Sequence, residues 1–502
     1  MAVALLALAS CSRSGAPAPT GLGRRLADAD ALSVRASPDG AWIAWLAACE
    51  PQRDRTLPAG TASCDLSVAP SSGGAATRLA RGVSTLRGFA WSSAHAAPAS
   101  LAALADYDAA SGAGALVAWA AGGEPRRVAD GVTFHGFARE GGALGLVAAG
   151  RLLVARPPQW RAEPVRGADG VATFEFGAGG PLALLARRTL RAGSALLAVR
   201  DAAAAPVAAA VREYAFARDG RRFAFTAGAA QALQVAWADG APSAALGRDV
   251  REFSFSPRGD AVAYVADAVP GRQGDLMVAL AGRAPERLAS RVGEPRWSAS
   301  GERLAWLEEY DPRSRTGALA VAAPGAKREI LARNVSDFDL TRDGQAVAYL
   351  QHVTAGGYSV DLGLARAGDR AVAVARGVFG FSFSPDGRWL YYRTACVREA
   401  EACDLFRVPV SGVGAADPKP ERIAEGLKSF DYAPGKPDRL LVAWARKDRV
   451  ALDLAVWDGG KLTAVDTYVR PGTAHFVGGD ARRVAYAVLD PKRQGVYVAE
   501  VP

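Results

Sequence analysis

About eleven times along its length, the chain repeats one short phrase: an alternation of aromatic and small residues, a four-residue turn, and a second alternation that ends on an aromatic. The clearest copies are "FSFSPDGRWLYY" (381–392), "FSFSPRGDAVAY" (253–264), "YAFARDGRRFAF" (214–225) and "FDLTRDGQAVAY" (338–349). Further copies are "PRWSASGERLAW" (295–306), "VRASPDGAWIAW" (34–45) and "HFVGGDARRVAY" (475–486), with weaker ones starting near 88, 135, 174 and 430. The spacing, roughly 40 to 55 residues, is that of arrays in which one supersecondary unit is stacked many times.

The unit at 380–427 shows what each copy builds. Phe381 and Phe383 alternate with Ser382 and Ser384, the period-two pattern of a strand with one buried face. Ser384-Pro385-Asp386-Gly387 is a tight turn in which proline presets one backbone angle and glycine takes a positive one. Trp389 and Tyr391 mark a second strand, "DLFRVPV" (404–410) a third and "ERIAEGL" (421–427) a fourth. Such a four-stranded meander has two apolar faces that only neighbouring sheets can cover. Packing the sheets around an axis satisfies this, so the expected fold is all-β, a β-propeller with no helices between strands.

The chain opens on "RRLADA" (24–29), a fourth-strand phrase, and closes on "QGVYVAEVP" (494–502), a third-strand phrase with nothing after it. A leftover fourth strand at the start is how a propeller zips its ring shut. Because a single ring usually holds four to eight blades, about eleven repeats predict two tandem rings, 24–250 and 251–502. One large ring is the alternative.

The N-terminus, "MAVALLALASCSRSGAPAPTG", resembles a bacterial lipoprotein leader, with Leu8-Ala9-Ser10-Cys11 as its lipobox. The resemblance implies a signal peptide over 1–11, lipidation of Cys11, and a flexible tether over 12–23. The expected location is the cell envelope, facing the periplasm from the outer membrane, with the lipid as the only membrane contact. The remaining four of the five cysteines agree with export. Cys49 and Cys64 flank one loop, Cys396 and Cys403 flank the equivalent loop of another repeat, and each pair can close a disulfide in an oxidising compartment.

The turn phrase "FSPDG", the aromatic-ended strand and the terse "L-x-R-L-A" strand together resemble the repeat of TolB, the periplasmic translocation protein, and its WD-repeat-like relatives. This resemblance covers 24–502 and implies the propeller fold. TolB also carries an N-terminal α/β domain that this sequence lacks, so its role in the Tol-Pal system is not implied. The same turn occurs in prolyl oligopeptidase-type peptidases, whose G-x-S-x-G elbow is spoiled here: "GYSVDLG" (357–363) has Asp361 at the second glycine.

Little in the sequence points to catalysis. His95, His135, His352 and His475 fall in different repeats without metal-ligand spacing, although His135 and His475 share a repeat position at the start of a first strand. No phosphate-cradling glycine loop, haem motif or calcium loop is present, so no cofactor or metal is expected. The net charge of +9 is dispersed, without the basic run that nucleic-acid binding favours. First strands carry mostly Phe, Ala and Ser, the lining of a plugged channel.

The loops between second and third strands carry the recognition chemistry. They hold Arg53 and Arg55; Tyr310, Asp311, Arg313 and Arg315; Arg272; Tyr358; Arg398 and Glu399; and Arg493. In a propeller these loops share one face, and loops on a rigid scaffold are where binding concentrates. The expected function is a lipid-anchored, non-enzymatic scaffold that binds an envelope protein or polymer. The alternative is a lyase or hydrolase of glycans working in a propeller channel.

Overall fold

The structure is a computed structural model. It describes residues 23–502 except 53–57, 59–60, 95, 97, 141, 178–182, 190–192, 201, 221, 238–244, 269–272, 353–359, 367–368, 370, 398–401, 412–418 and 449. No helix occurs among the described residues, and the strands form an all-β propeller of eleven blades, one for each copy of the repeat. Blade 1 is the simple case: Ser33–Ala36, Trp42–Pro51, Ala62–Pro70 and Thr77–Ser84 pair in sequence order, each antiparallel to the next. Blade 9 repeats it with Gly380–Phe383, Trp389–Val397, Ala402–Pro409 and Glu421–Leu427. Elsewhere the fourth strand of one blade runs on as the first strand of the next, as in Arg126–Phe137, Ala203–Phe216 and Glu329–Leu340.

The buried turn serine, whose role the sequence left open, ties the turn to the second strand. Ser384 Oγ donates to Asp386 at 2.6 Å and accepts from the Trp389 N–H at 3.0 Å. Thr341 makes the same pair of bonds to Asp343 and Ala346. Burial alone would raise the Asp386 carboxyl, but the bonds from Ser384 and Arg388 hold it below its ordinary value.

The aromatic that ends each second alternation explains the stacking. Trp45, Tyr264, Trp306, Tyr349, Tyr392 and Tyr486 are all buried, and each packs into the apolar core shared with the preceding blade. Such a side chain contributes on the order of 1.5–3 kcal/mol when removed from water. One core joins each consecutive pair of blades. That between blades 5 and 6 unites Ala224 and Leu233 with Val262 and Tyr264. The last unites Val34, Ile43 and Trp45 of blade 1 with Ala485 and Val496 of blade 11.

Across 250/251, the apolar face of blade 5 is covered by blade 6. Closure uses the leftover strand as expected: Arg24–Ala27 pairs antiparallel with Gly495–Glu500, Arg24 opposite Val498 and Ala27 opposite Val496. His475 adds a stitch, its Nε2 accepting the Ala36 N–H at 2.8 Å while Nδ1 lies 3.1 Å from the Thr473 carbonyl. Burial keeps its imidazole below the ordinary value, in the neutral form that this acceptor role requires.

Candidate partner-binding face

Among the described residues each first strand runs down to a turn, opened by a serine or threonine in blades 1, 2, 6, 7, 8 and 9 and by Ala138, Ala217, Ala433 or Gly478 in blades 3, 5, 10 and 11, so the blades share two faces: a turn face, and a crown made of the second-to-third-strand hairpins and the connections between blades. On the crown, Cys49 is bonded to Cys64 and Cys396 to Cys403, with Cα atoms 4.1 and 4.0 Å apart. Both first cysteines follow a residue of positive φ, Ala48 and Ala395, at a bulge in the second strand.

The same bulge recurs in blades 2 and 7 after Asp106 and Glu309, with Tyr107 and Tyr310 in the first cysteine slot and Gly114 and Gly317 in the second. Tyr310 is therefore a hairpin element: its ring covers Gly293, where an added Cβ would lie 2.7 Å from it. Asp311 is also occupied, accepting from the Arg313 N–H at 3.0 Å and Ser314 Oγ at 2.9 Å, and these bonds hold its carboxyl below the ordinary value. Asp108 makes the matching bonds to Ala110 and Ser111. The shared phrase "YD…S…GAL" at 107–116 and 310–319 was the available signal for this equivalence.

Arg493 turns inward. Its Nη1 pairs with Asp466 Oδ1 at 2.9 Å, Nη2 donates to the Thr467 carbonyl at 3.3 Å, and Tyr486 donates to the other Asp466 oxygen at 3.0 Å. The Asp466 side chain is wholly buried, and Arg493 serves as its counter-ion. Arg313 and Arg315 are exposed on the crown. Arg53, Arg55, Arg272, Tyr358, Arg398 and Glu399 lie outside the described residues, as do Cys11, His95 and the side chain of His352.

The channel wall is more polar than the first-strand phrases suggested. Arg296 Nη2 pairs with Glu294 at 2.8 Å and its Nη1 with Asp337 at 3.0 Å, while the guanidinium stands 4.8 Å from the Phe338 ring centre. Burial raises the Asp339 carboxyl above its ordinary value, and the Leu340 N–H and Arg296 oppose the shift. Ser382 Oγ and Tyr432 OH lie 2.7 Å apart. Among the described residues no group of three or more His, Cys, Asp or Glu is placed to hold a metal ion.

His135 in the first strand of blade 3 is pushed down to about 4, by burial first and by Arg87 second. Unfolded chain takes up this proton near pH 6.5 and folded chain only near 4, so this contribution to stability is lost as pH falls through that window. The loss expected is about 3 kcal/mol, read as a urea midpoint that drops less between pH 7 and 4.5 in His135→Gln than in wild type. Equal drops would show that His135 is accessible to protons in the fold.

The crown also carries a feature with no sequence warning. Phe379 is 72% exposed, Val450 64%, Val397 44% and Tyr468 36%, all at the crown ends of blades 9 and 10 or the connections beside them.

No protein-family model and no curated protein matches the chain. Solved structures do. A eukaryotic initiation factor is 13% identical, over 76% of this chain and 96% of that one, with a TM-score of 0.45. The β-propeller domain of the trilobed protease from Pyrococcus furiosus is 12% identical over 50% and 83%, with a TM-score of 0.32. A putative TolB from Agrobacterium tumefaciens is 16% identical over 52% and 94%, with a TM-score of 0.26. At these values no activity, substrate or partner transfers to this chain.

Proposed function

We propose that the chain is a lipid-tethered propeller of the bacterial cell envelope, held by acylated Cys11 and presenting its crown to a protein partner. The observation that carries this reading is the direction of the closing strand. Arg24 pairs with Val498, toward the turn end of its blade, and Ala27 with Val496, toward the crown end, so the chain enters the ring from the turn face. Residues 12–22, eleven in number, reach at most about 40 Å when extended. A membrane at the end of that tether lies on the turn side and leaves the crown facing away from it.

A binding role is also supported by the channel wall, where Arg296 neutralises two of the carboxylates and Ser382 and Tyr432 satisfy each other. Catalysis needs such groups free and convergent on one point. The two crown disulfides fit an oxidising compartment. Replacing Cys11 by alanine is expected to move the protein from the membrane fraction to the soluble periplasmic fraction. Unchanged membrane association of Cys11→Ala would refute the tether.

A further inference from the structure

We infer that the turn face carries, at the mouth of the channel, a pocket for a small organic phosphate monoester whose phosphate is held between Arg218 and Arg342. The inference goes beyond the crown and the tether and uses neither. It starts from a departure in the repeat. The turn after the first strand is closed by the same bond in blades 1, 5, 6, 7, 8 and 9, from a glycine N–H to the carbonyl three residues back, at 2.7–2.9 Å. The second residue of that turn is proline in blades 1, 6 and 9, Pro38, Pro257 and Pro385, and proline presets the backbone angle that the turn needs. Blades 5 and 8 carry Arg218 and Arg342 there instead.

Both arginines give up the stabilisation that proline offers, and neither uses its charge within the protein. Each is exposed, with no side-chain hydrogen bond or ion pair among the described residues. By contrast, Arg222, Arg258 and Arg388 on the same face pair with Asp219, Glu302 and Asp386. Blade 3 also has an arginine at this position, Arg139, but its charge acts on the Glu175 carboxyl.

Arg218 and Arg342 line one pocket of about 350 Å³, although two blades separate them along the chain. Ala299 and Pro385 line it from the same turn position in blades 7 and 9, the first with no more than a methyl group. A volume of this size takes a small molecule. Leu340 and Phe383 supply an apolar wall, and Asp339 is the one carboxylate. Its Oδ1 takes the Leu340 N–H at 2.8 Å, which leaves Oδ2 to accept from a ligand hydroxyl, and Arg296 acts on its charge from the channel wall. The neighbouring acids do not compete for the two turn arginines. Asp219 is paired with Arg222, and Asp343 accepts from Thr341 Oγ1 at 2.7 Å and from the Gln345 N–H at 3.0 Å. Guanidinium groups fit phosphate oxygens through paired, charge-assisted N–H bonds. Two of them match the double charge of a phosphate monoester, whose apolar body then lies on Leu340, Phe383 and Pro385.

The test is titration calorimetry of the full chain with phenyl phosphate. Arg218→Pro and Arg342→Pro are each expected to weaken binding at least about ten-fold. Among the described residues neither arginine's N–H makes a backbone bond, so each proline restores the turn of blades 1, 6 and 9 and leaves the melting temperature equal or higher. Arg218→Gln and Arg342→Gln repeat the reading with the backbone untouched. Absence of binding by the wild-type chain overturns the inference, as does equal binding after substitution of either arginine. An equal loss in Arg388→Gln, a paired arginine on the same face, reduces the effect to general surface charge and overturns the pocket. Inorganic phosphate bound as tightly as phenyl phosphate overturns the apolar half of the site, and benzoate bound as tightly overturns the dianion. Sedimentation with phosphatidic acid vesicles, in place of phenyl phosphate binding, assigns the phosphate to a membrane lipid and overturns a free ligand.

Discussion

Replacing Arg493 by alanine is expected to lower stability by about 3–5 kcal/mol, the cost of leaving a buried carboxylate without its partner. The Asp466 side chain is wholly buried between the last two blades, and among the described residues only Arg493 gives it a counter-charge, at 2.9 Å. The Tyr486 hydroxyl satisfies the other oxygen but brings no charge. Urea unfolding of Arg493→Ala measures the loss. Asp466→Asn combined with Arg493→Gln should recover much of it, since neither group is then ionised. A loss below about 0.5 kcal/mol, the range of ordinary surface changes, would return Arg493 to the residues available to a partner.

The second large effect is expected at the closing seam. Gly40, at φ 70°, lies in the turn of blade 1, where an added Cβ would sit 2.7 Å from the Gly478 Cα and 2.8 Å from its nitrogen in blade 11. Both obstacles are backbone, so neither can swing aside as a flexible side chain would. Gly40→Ala combines a left-handed backbone penalty of roughly 1–2 kcal/mol with an overpacking cost of roughly 1–3 kcal/mol. Gly387 in blade 9 has nearly the same φ, 73°, but its Cβ would meet only Thr341 side-chain atoms at 3.4 and 3.5 Å. Gly387→Ala should therefore cost the backbone penalty alone. Equal losses from the two substitutions would mean that the seam between blades 11 and 1 is no tighter than the others. Amide exchange gives a second reading: Gly40→Ala should lower protection in Arg24–Ala27 first, because that strand's pairing with Gly495–Glu500 closes the ring.

Much of the fold was legible because its signals are local. Aromatic-small alternation, the Ser-Pro-Asp-Gly turn and the terse fourth strand each lie within a dozen residues, and they fixed the eleven blades and the leftover strand at Arg24–Ala27. The cysteine pairs were legible for the same reason, since a hairpin brings its two ends together whatever the rest of the chain does. The site was less legible. Tyr310, Asp311 and Arg493 stand out in the sequence as crown residues, and the structure adds contacts within the protein that no local pattern shows: Tyr310 covers Gly293, Asp311 caps its own hairpin and Arg493 pairs with a carboxylate 27 positions away. Phe379 lies two positions before Phe381, yet its ring faces solvent, and no local pattern marks it off.

The sequence by itself determined the strands, turns and repeat count, because hydrophobic period and turn chemistry act over a few residues. It also determined that sheets must cover sheets. Only the tertiary structure decided which blade covers the far face of blade 5, since every blade offers a similar apolar surface. The same holds for the crown: whether an arginine or an aromatic faces a partner or its own protein depends on neighbours contributed by distant repeats, and no local pattern encodes them.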